Sequence, residues 1–173
     1  NLETILTKMG IAGQRKDALV DLLDGTSTVI GYATSTDGVN WTVQNSEVLA
    51  GSGGAWNSVG APSVIKDGNT YKMWYTRGKT DLTDAQLGAL DAATFGINEL
   101  VDILDGTSTA IGYTTSTDGV NWTAPQEAFT GGSSAWDSVG APSLLFDEDC
   151  NTLKMWYTQG RTDLTIADFR ALL

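Results

Sequence analysis

Gly25-Thr-Ser-Thr-Val-Ile-Gly-Tyr-Ala-Thr-Ser-Thr-Asp-Gly-Val-Asn-Trp-Thr42 decides the fold, because it returns 81 residues later as Gly106 to Thr123 with sixteen of its 18 positions identical. Only Val29/Ala110 and Ala33/Thr114 differ. Working outward, Ala55 to Val64 returns as Ala135 to Leu144, and Tyr71-Lys-Met-Trp-Tyr-Thr76 returns as Leu153 to Thr158. Self-similarity at a fixed period marks an architecture made by stacking one supersecondary unit. Two units of about 81 residues fill the chain, one over 1–81 and one over 82–163, and 164–173 opens a third.

Within a unit, Val29 to Ser35 alternates in a β-rich register. Asp37-Gly38 follows, supplying the positive-φ position of a tight turn, and a strand is expected at Asn40 to Val43. A Gly/Ser loop at Gly51 to Gly54 precedes a short strand at Pro62 to Lys66. The turn Asp67-Gly68-Asn69 leads into a strand at Tyr71 to Thr76. Four short strands joined by turns predict an all-β chain built of four-stranded antiparallel meanders.

After Thr76 the period changes. Thr83 with Gln86 forms a capping box, and Ile97, Leu100, Val101 and Leu104 fall at helical spacing. Leu2, Ile5, Leu6 and Met9 repeat that spacing, and Asp163 to Asp168 restarts the motif of Asp81 to Asp84. A short α-helical insertion is therefore expected once per repeat. Its apolar stripe must be covered, by the edge of its own sheet or by a neighbouring chain.

The phase of the repeat matters for assembly. If each sheet is ordered from the Pro62-type strand to the Asn40-type strand, only the middle one is complete: Pro62, Tyr71, Ile111 and Asn121 strands. The first two strands and the last two are half-sheets. An open sheet edge exposes backbone donors and acceptors that proteins normally cover. The halves are expected to complete each other within the chain, between copies, or with further repeats of a longer parent.

Composition removes several function classes. The chain has 173 residues, 18.3 kDa and a net charge of −11. Binding to nucleic acid or anionic lipid draws on clustered basic side chains, so neither is expected as a partner. There is no histidine and one cysteine, Cys150, which excludes a Ser-His-Asp triad, a Cys-His pair, a histidine-held zinc and an intrachain disulfide. No run reaches the ~18–20 apolar residues of a membrane-spanning helix. No cofactor or metal is implied.

Ile30-Gly-Tyr-Ala-Thr-Ser-Thr-Asp-Gly-Val-Asn-Trp41, Gly60-Ala-Pro-Ser-Val-Ile65 and Tyr71 to Thr76 resemble blades of the five-bladed β-propellers of glycoside hydrolase families 43 and 32. The resemblance covers roughly two thirds of the chain. It implies β-propeller blades, with the Ala61 strand innermost and the loop carrying Trp56 near a sugar-binding axis. It also implies an acid directly after the Pro of an Ala-Pro-Asp type motif, where this chain has Ser63 and Ser143. A serine cannot replace a carboxylate in glycoside hydrolysis. A non-catalytic module that binds carbohydrate or self-assembles is therefore expected, with a glycoside hydrolase fragment or an architectural filament subunit as alternatives. The resemblance and the low charge density suit a secreted or cell-surface protein.

The candidate ligand-binding residues are Trp56, Asn57, Ser58 and Ser63 with their counterparts Trp136, Asp137, Ser138 and Ser143, since an aromatic face beside hydroxyls suits a sugar ring; the other reading of Trp56 and Trp136 is packing between blades. Asp37, Gly38 and Trp41, with Asp118, Gly119 and Trp122, are assigned to turn structure, like a shortened Asp-box. Trp74, Tyr75, Trp156 and Tyr157, together with Trp41 and Trp122, are expected in the core. Asp147-Glu148-Asp149 reads as a solvated turn, with calcium as the alternative. Two repeats are too few for a ring of about 4 to 8 blades, so assembly with other copies is expected, as a ring or a filament.

Overall fold

The computed structural model describes residues 27–51, 58–80, 107–131, 138–160 and 167. The helical insertions expected at 2–9 and 83–104, and all of 164–173 but Ala167, lie outside them. In chain order the strands are β1 (Ile30–Thr34), β2 (Thr42–Leu49), β3 (Val59–Asp67), β4 (Thr70–Thr80), β5 (Thr107–Ser116), β6 (Gln126–Phe129), β7 (Val139–Asp147) and β8 (Thr152–Gln159). They form three antiparallel sheets: β1-β2, β3-β4-β5-β6 and β7-β8. None of the three is closed.

The middle sheet straddles the two copies, taking β3-β4 from the first and β5-β6 from the second. β4 and β5 pair without interruption from Tyr71↔Ser116 to Thr80↔Thr107. Three of the turns fit their residues well. Gly68, at φ 58°, closes the β3–β4 hairpin, and Gly38 and Gly119, at φ 75° and 77°, occupy the left-handed positions after Asp37 and Asp118.

The strand expected at Asn40, and its counterpart at Asn121, begins later than the sequence pattern indicates. In the first copy the Asp37 carboxylate captures the amides of Val39 and Asn40, holding them out of the ladder, and pairing starts at Thr42. In the second copy Pro125 has no N–H to give, and the strand starts at Gln126.

The core lies between sheets. Ile30, Val59, Met73 and Tyr75 form one buried cluster, with Val48, Leu49 and Trp122 packed on it, joining the first sheet to the middle one. On the other side β7 lies against β3, β4 and β5, and Ile111 and Val139 are buried. Each such side chain contributes about 1.5–3 kcal/mol on full burial.

The expectation that all the strand aromatics are core holds for only part of the set. Tyr75 is buried and Trp74 half-buried, whereas their counterparts Trp156 and Tyr157 are 58% and 40% exposed. Trp122 is half-buried and Trp41 is 62% exposed. Trp156 and Tyr157 lie in β8, which among the described residues pairs only with β7, and Trp41 precedes β2 without the packing that the first sheet gives Trp122.

Candidate assembly site

The strands β3 and β7 each carry a bulge, and the two bulges meet where the middle and last sheets adjoin. Between Gly60 and Ser63 the pairing with β4 slips, leaving Gly60 opposite Thr76 and Ser63 opposite Trp74. The same slip occurs between Gly140 and Ser143. It is achieved by Ala61 at φ 45° and Ala141 at φ 48°, a left-handed conformation costing a non-glycine residue roughly 1–2 kcal/mol. The following Pro62 and Pro142 have no amide to lose from the ladder.

What the bulge achieves is a joint. Leu144 N donates to Ser63 Oγ at 3.1 Å, and Ala141 N donates to Thr76 Oγ1 at 2.7 Å. Gly140 is required there, since a β-carbon would stand 2.9 Å from Thr76 Oγ1. A second joint repeats almost atom for atom. Thr28 N donates to Ser58 Oγ at 3.1 Å and Thr28 Oγ1 to the Val59 carbonyl at 2.9 Å. One sheet further on, Thr109 N donates to Ser138 Oγ at 3.3 Å and Thr109 Oγ1 to the Val139 carbonyl at 2.9 Å.

Of the candidate ligand residues, then, Ser58, Ser63 and Ser138 hold successive sheets together. Ser143, the counterpart of Ser63, is exposed at the outer side of the last sheet. Trp56, Asn57, Trp136 and Asp137 lie outside the described residues. Sequence reasoning missed Thr28, Thr76 and Thr109; the available signal was a hydroxyl recurring at the same place in both copies.

The two Asp turns are alike. Asp37 Oδ1 accepts from Val39 N at 2.9 Å and Asn40 N at 2.8 Å, while Oδ2 accepts from Asn40 Nδ2 at 2.8 Å. Asp118 makes the same set with Val120 and Asn121. Ser35 Oγ and Ser116 Oγ each donate to the carboxylate at 2.9 Å. These donors stabilise the ionised form and hold both carboxyls well below the usual range, led by the Asn40 amide for Asp37 and the Asn121 side chain for Asp118. Among the described residues these hydrogen bonds to the two carboxylates all come from their own turns. Asp147 likewise caps its own turn, accepting from Asp149 N at 3.1 Å and pairing with Lys154. Among the described residues no three acidic or thiol groups converge as a metal site would need.

The indoles that follow these turns behave differently. Trp41 Nε1 donates to the Gly38 carbonyl at 3.1 Å on the open side of the first sheet. Trp122 instead enters the space between the first and middle sheets, beside a cleft of about 340 Å³ that Leu49, Tyr75 and Arg77 help to line. Its buried Nε1 has no partner among the described residues.

The remaining feature is a pair of open edges. Among the described residues, β1 pairs only with β2, and β8 only with β7. Their counterparts β5 and β4 pair with each other. Around these edges Val29, Tyr32, Trp156 and Tyr157 are exposed, a concentration of large apolar side chains of the kind that marks an interaction surface. No family model matches the chain, and no curated protein does.

Proposed function

We propose that the chain is a non-catalytic, self-assembling structural repeat protein, whose propeller-type blades are completed between copies. One observation carries this reading: Lys-Met-Trp-Tyr-Thr is covered in β4, which lies between β3 and β5, and is exposed except at Met155 in β8, which among the described residues pairs only with β7. The same five residues cannot have opposite solvation preferences. The exposed set is therefore a surface built to be covered.

The joints support the same role. Ser58, Ser63 and Ser138, which a sugar site would need, tie sheet to sheet, and the turn carboxylates are committed to backbone amides. Ser63 and Ser143 stand where the resembling hydrolases carry an acid, and glycoside hydrolysis needs two. A secreted or surface location suits such an assembly.

Light scattering on the 173-residue chain over a range of concentrations tests this. A discrete multiple of 18.3 kDa indicates a closed ring, three chains giving six blades, and a mass that grows with concentration indicates an open fibre. A mass of 18.3 kDa at every concentration contradicts the proposal.

A further inference from the structure

We infer that β8 of one copy pairs antiparallel with β1 of a second copy, head to tail, in the register that β4 and β5 display within a single chain. This rests on the structural role proposed above and specifies its partner. The occupant is fixed by identity of sequence. β8 repeats β4 through Lys-Met-Trp-Tyr-Thr, and β1 repeats β5 at Ile-Gly-Tyr and again at Thr34-Ser35. The pairing Lys72↔Thr115, Trp74↔Tyr113, Tyr75↔Gly112 and Arg77↔Ala110 therefore maps onto Lys154↔Thr34, Trp156↔Tyr32, Tyr157↔Gly31 and Gln159↔Val29.

The chemistry of each pair agrees with the mapping. Trp74 and Tyr113 have ring centroids 4.9 Å apart, and their counterparts Trp156 and Tyr32 are 58% and 38% exposed, each lacking that contact. Tyr75 lies over Gly112, where a side chain would collide with it. At Gly31 the neighbouring atoms are instead backbone atoms of Asn45 and Ser46, so the place that a tyrosine covers in the middle sheet is left for Tyr157. Completion also extends the joints. With the composite sheet in place, Ser143 Oγ meets Val64 N of the following copy, as Ser63 Oγ meets Leu144 N. The contact is heterologous, so it propagates into a ring or a filament.

Four single-cysteine variants in a Cys150→Ser background test the register: Val29→Cys, Thr34→Cys, Lys154→Cys and Gln159→Cys. Mixed in pairs under mild oxidation, Val29→Cys with Gln159→Cys and Thr34→Cys with Lys154→Cys place their Cα atoms about 4.5–5.5 Å apart, within disulfide reach. The crossed pairs are about 17 Å apart along the strand. The expected result is a disulfide-linked dimer in both matched mixtures, at least about tenfold above the crossed ones. Equal linking in matched and crossed mixtures, or none while light scattering still shows multiples, overturns the register and leaves self-association standing. Mixtures that stay at 18.3 kDa overturn both. Two matched pairs keep the test decisive if one variant folds poorly.

Discussion

The ring of Tyr75 lies directly over Gly112 on the neighbouring strand, so close that a β-carbon on Gly112 would stand 2.5 Å from Tyr75 Cζ. Tyr75 is 2% exposed, and the free space beside it is the cleft that it lines with Leu49 and Arg77. Gly112→Ala is expected to destabilise the fold by about 1–3 kcal/mol, the usual cost of overpacking. Urea unfolding monitored by circular dichroism checks it, and an unchanged midpoint would show that the ring can move aside.

Ser63 and Ser143 occupy one place in the repeat yet differ in surroundings. Ser63 accepts from Leu144 N, whereas Ser143 is exposed at the last sheet. Ser63→Ala is expected to lower the stability of the single chain by about 0.5–1.5 kcal/mol. Ser143→Ala leaves that stability unchanged and weakens assembly. Denaturation at low concentration, paired with light scattering at high concentration, separates the two effects.

Trp41 and Trp156 are 62% and 58% exposed, and the proposed completion of the sheets by further copies is expected to cover both. Tryptophan emission is expected to shift to shorter wavelength as concentration rises, in step with the mass. Trp156→Phe should remove a substantial part of that shift. Emission that stays constant while the mass grows would mean that chains associate through some other surface.

Acid should loosen the turns. Asp37 and Asp118 have carboxyls held below the ordinary 3.8, so the unfolded chain takes up protons before the folded one does. Their contribution to stability is present above 3.8 and is lost as pH falls from there towards their lower folded values. The urea midpoint is expected to be insensitive to these two groups above about pH 5 and to fall below 3.8, with a shallower fall in the Asp37→Asn/Asp118→Asn double variant. An equal acid slope in variant and parent would refute this.

Much of the fold was legible because the repeat is nearly exact: a strand pattern that occurs twice can be aligned on itself. The division into half-sheet, full sheet and half-sheet follows from the phase at which the strands fall, and the structure shows that division. The late start of β2 and β6 was not legible, because it depends on which amides the Asp37 carboxylate captures and on the missing N–H of Pro125. The role of Ser58, Ser63 and Ser138 was hidden for a similar reason. A serine after a loop or a proline reads equally well as a ligand contact or a joint, and only the position of the next sheet distinguishes them. The exposure of Trp156 was misjudged because strand alternation says which face a side chain takes, not whether anything covers that face.

The most direct measurement is hydrogen–deuterium exchange of the unaltered chain at two concentrations, comparing the backbone amides of β8 and β1 with those of β4 and β5. β8 and β1 are expected to exchange quickly at the concentration where the mass is 18.3 kDa and to become as protected as β4 and β5 where it is larger. Exchange at β8 and β1 that stays fast in the larger species, or is already slow in the monomer, would contradict completion of the sheet by a second copy.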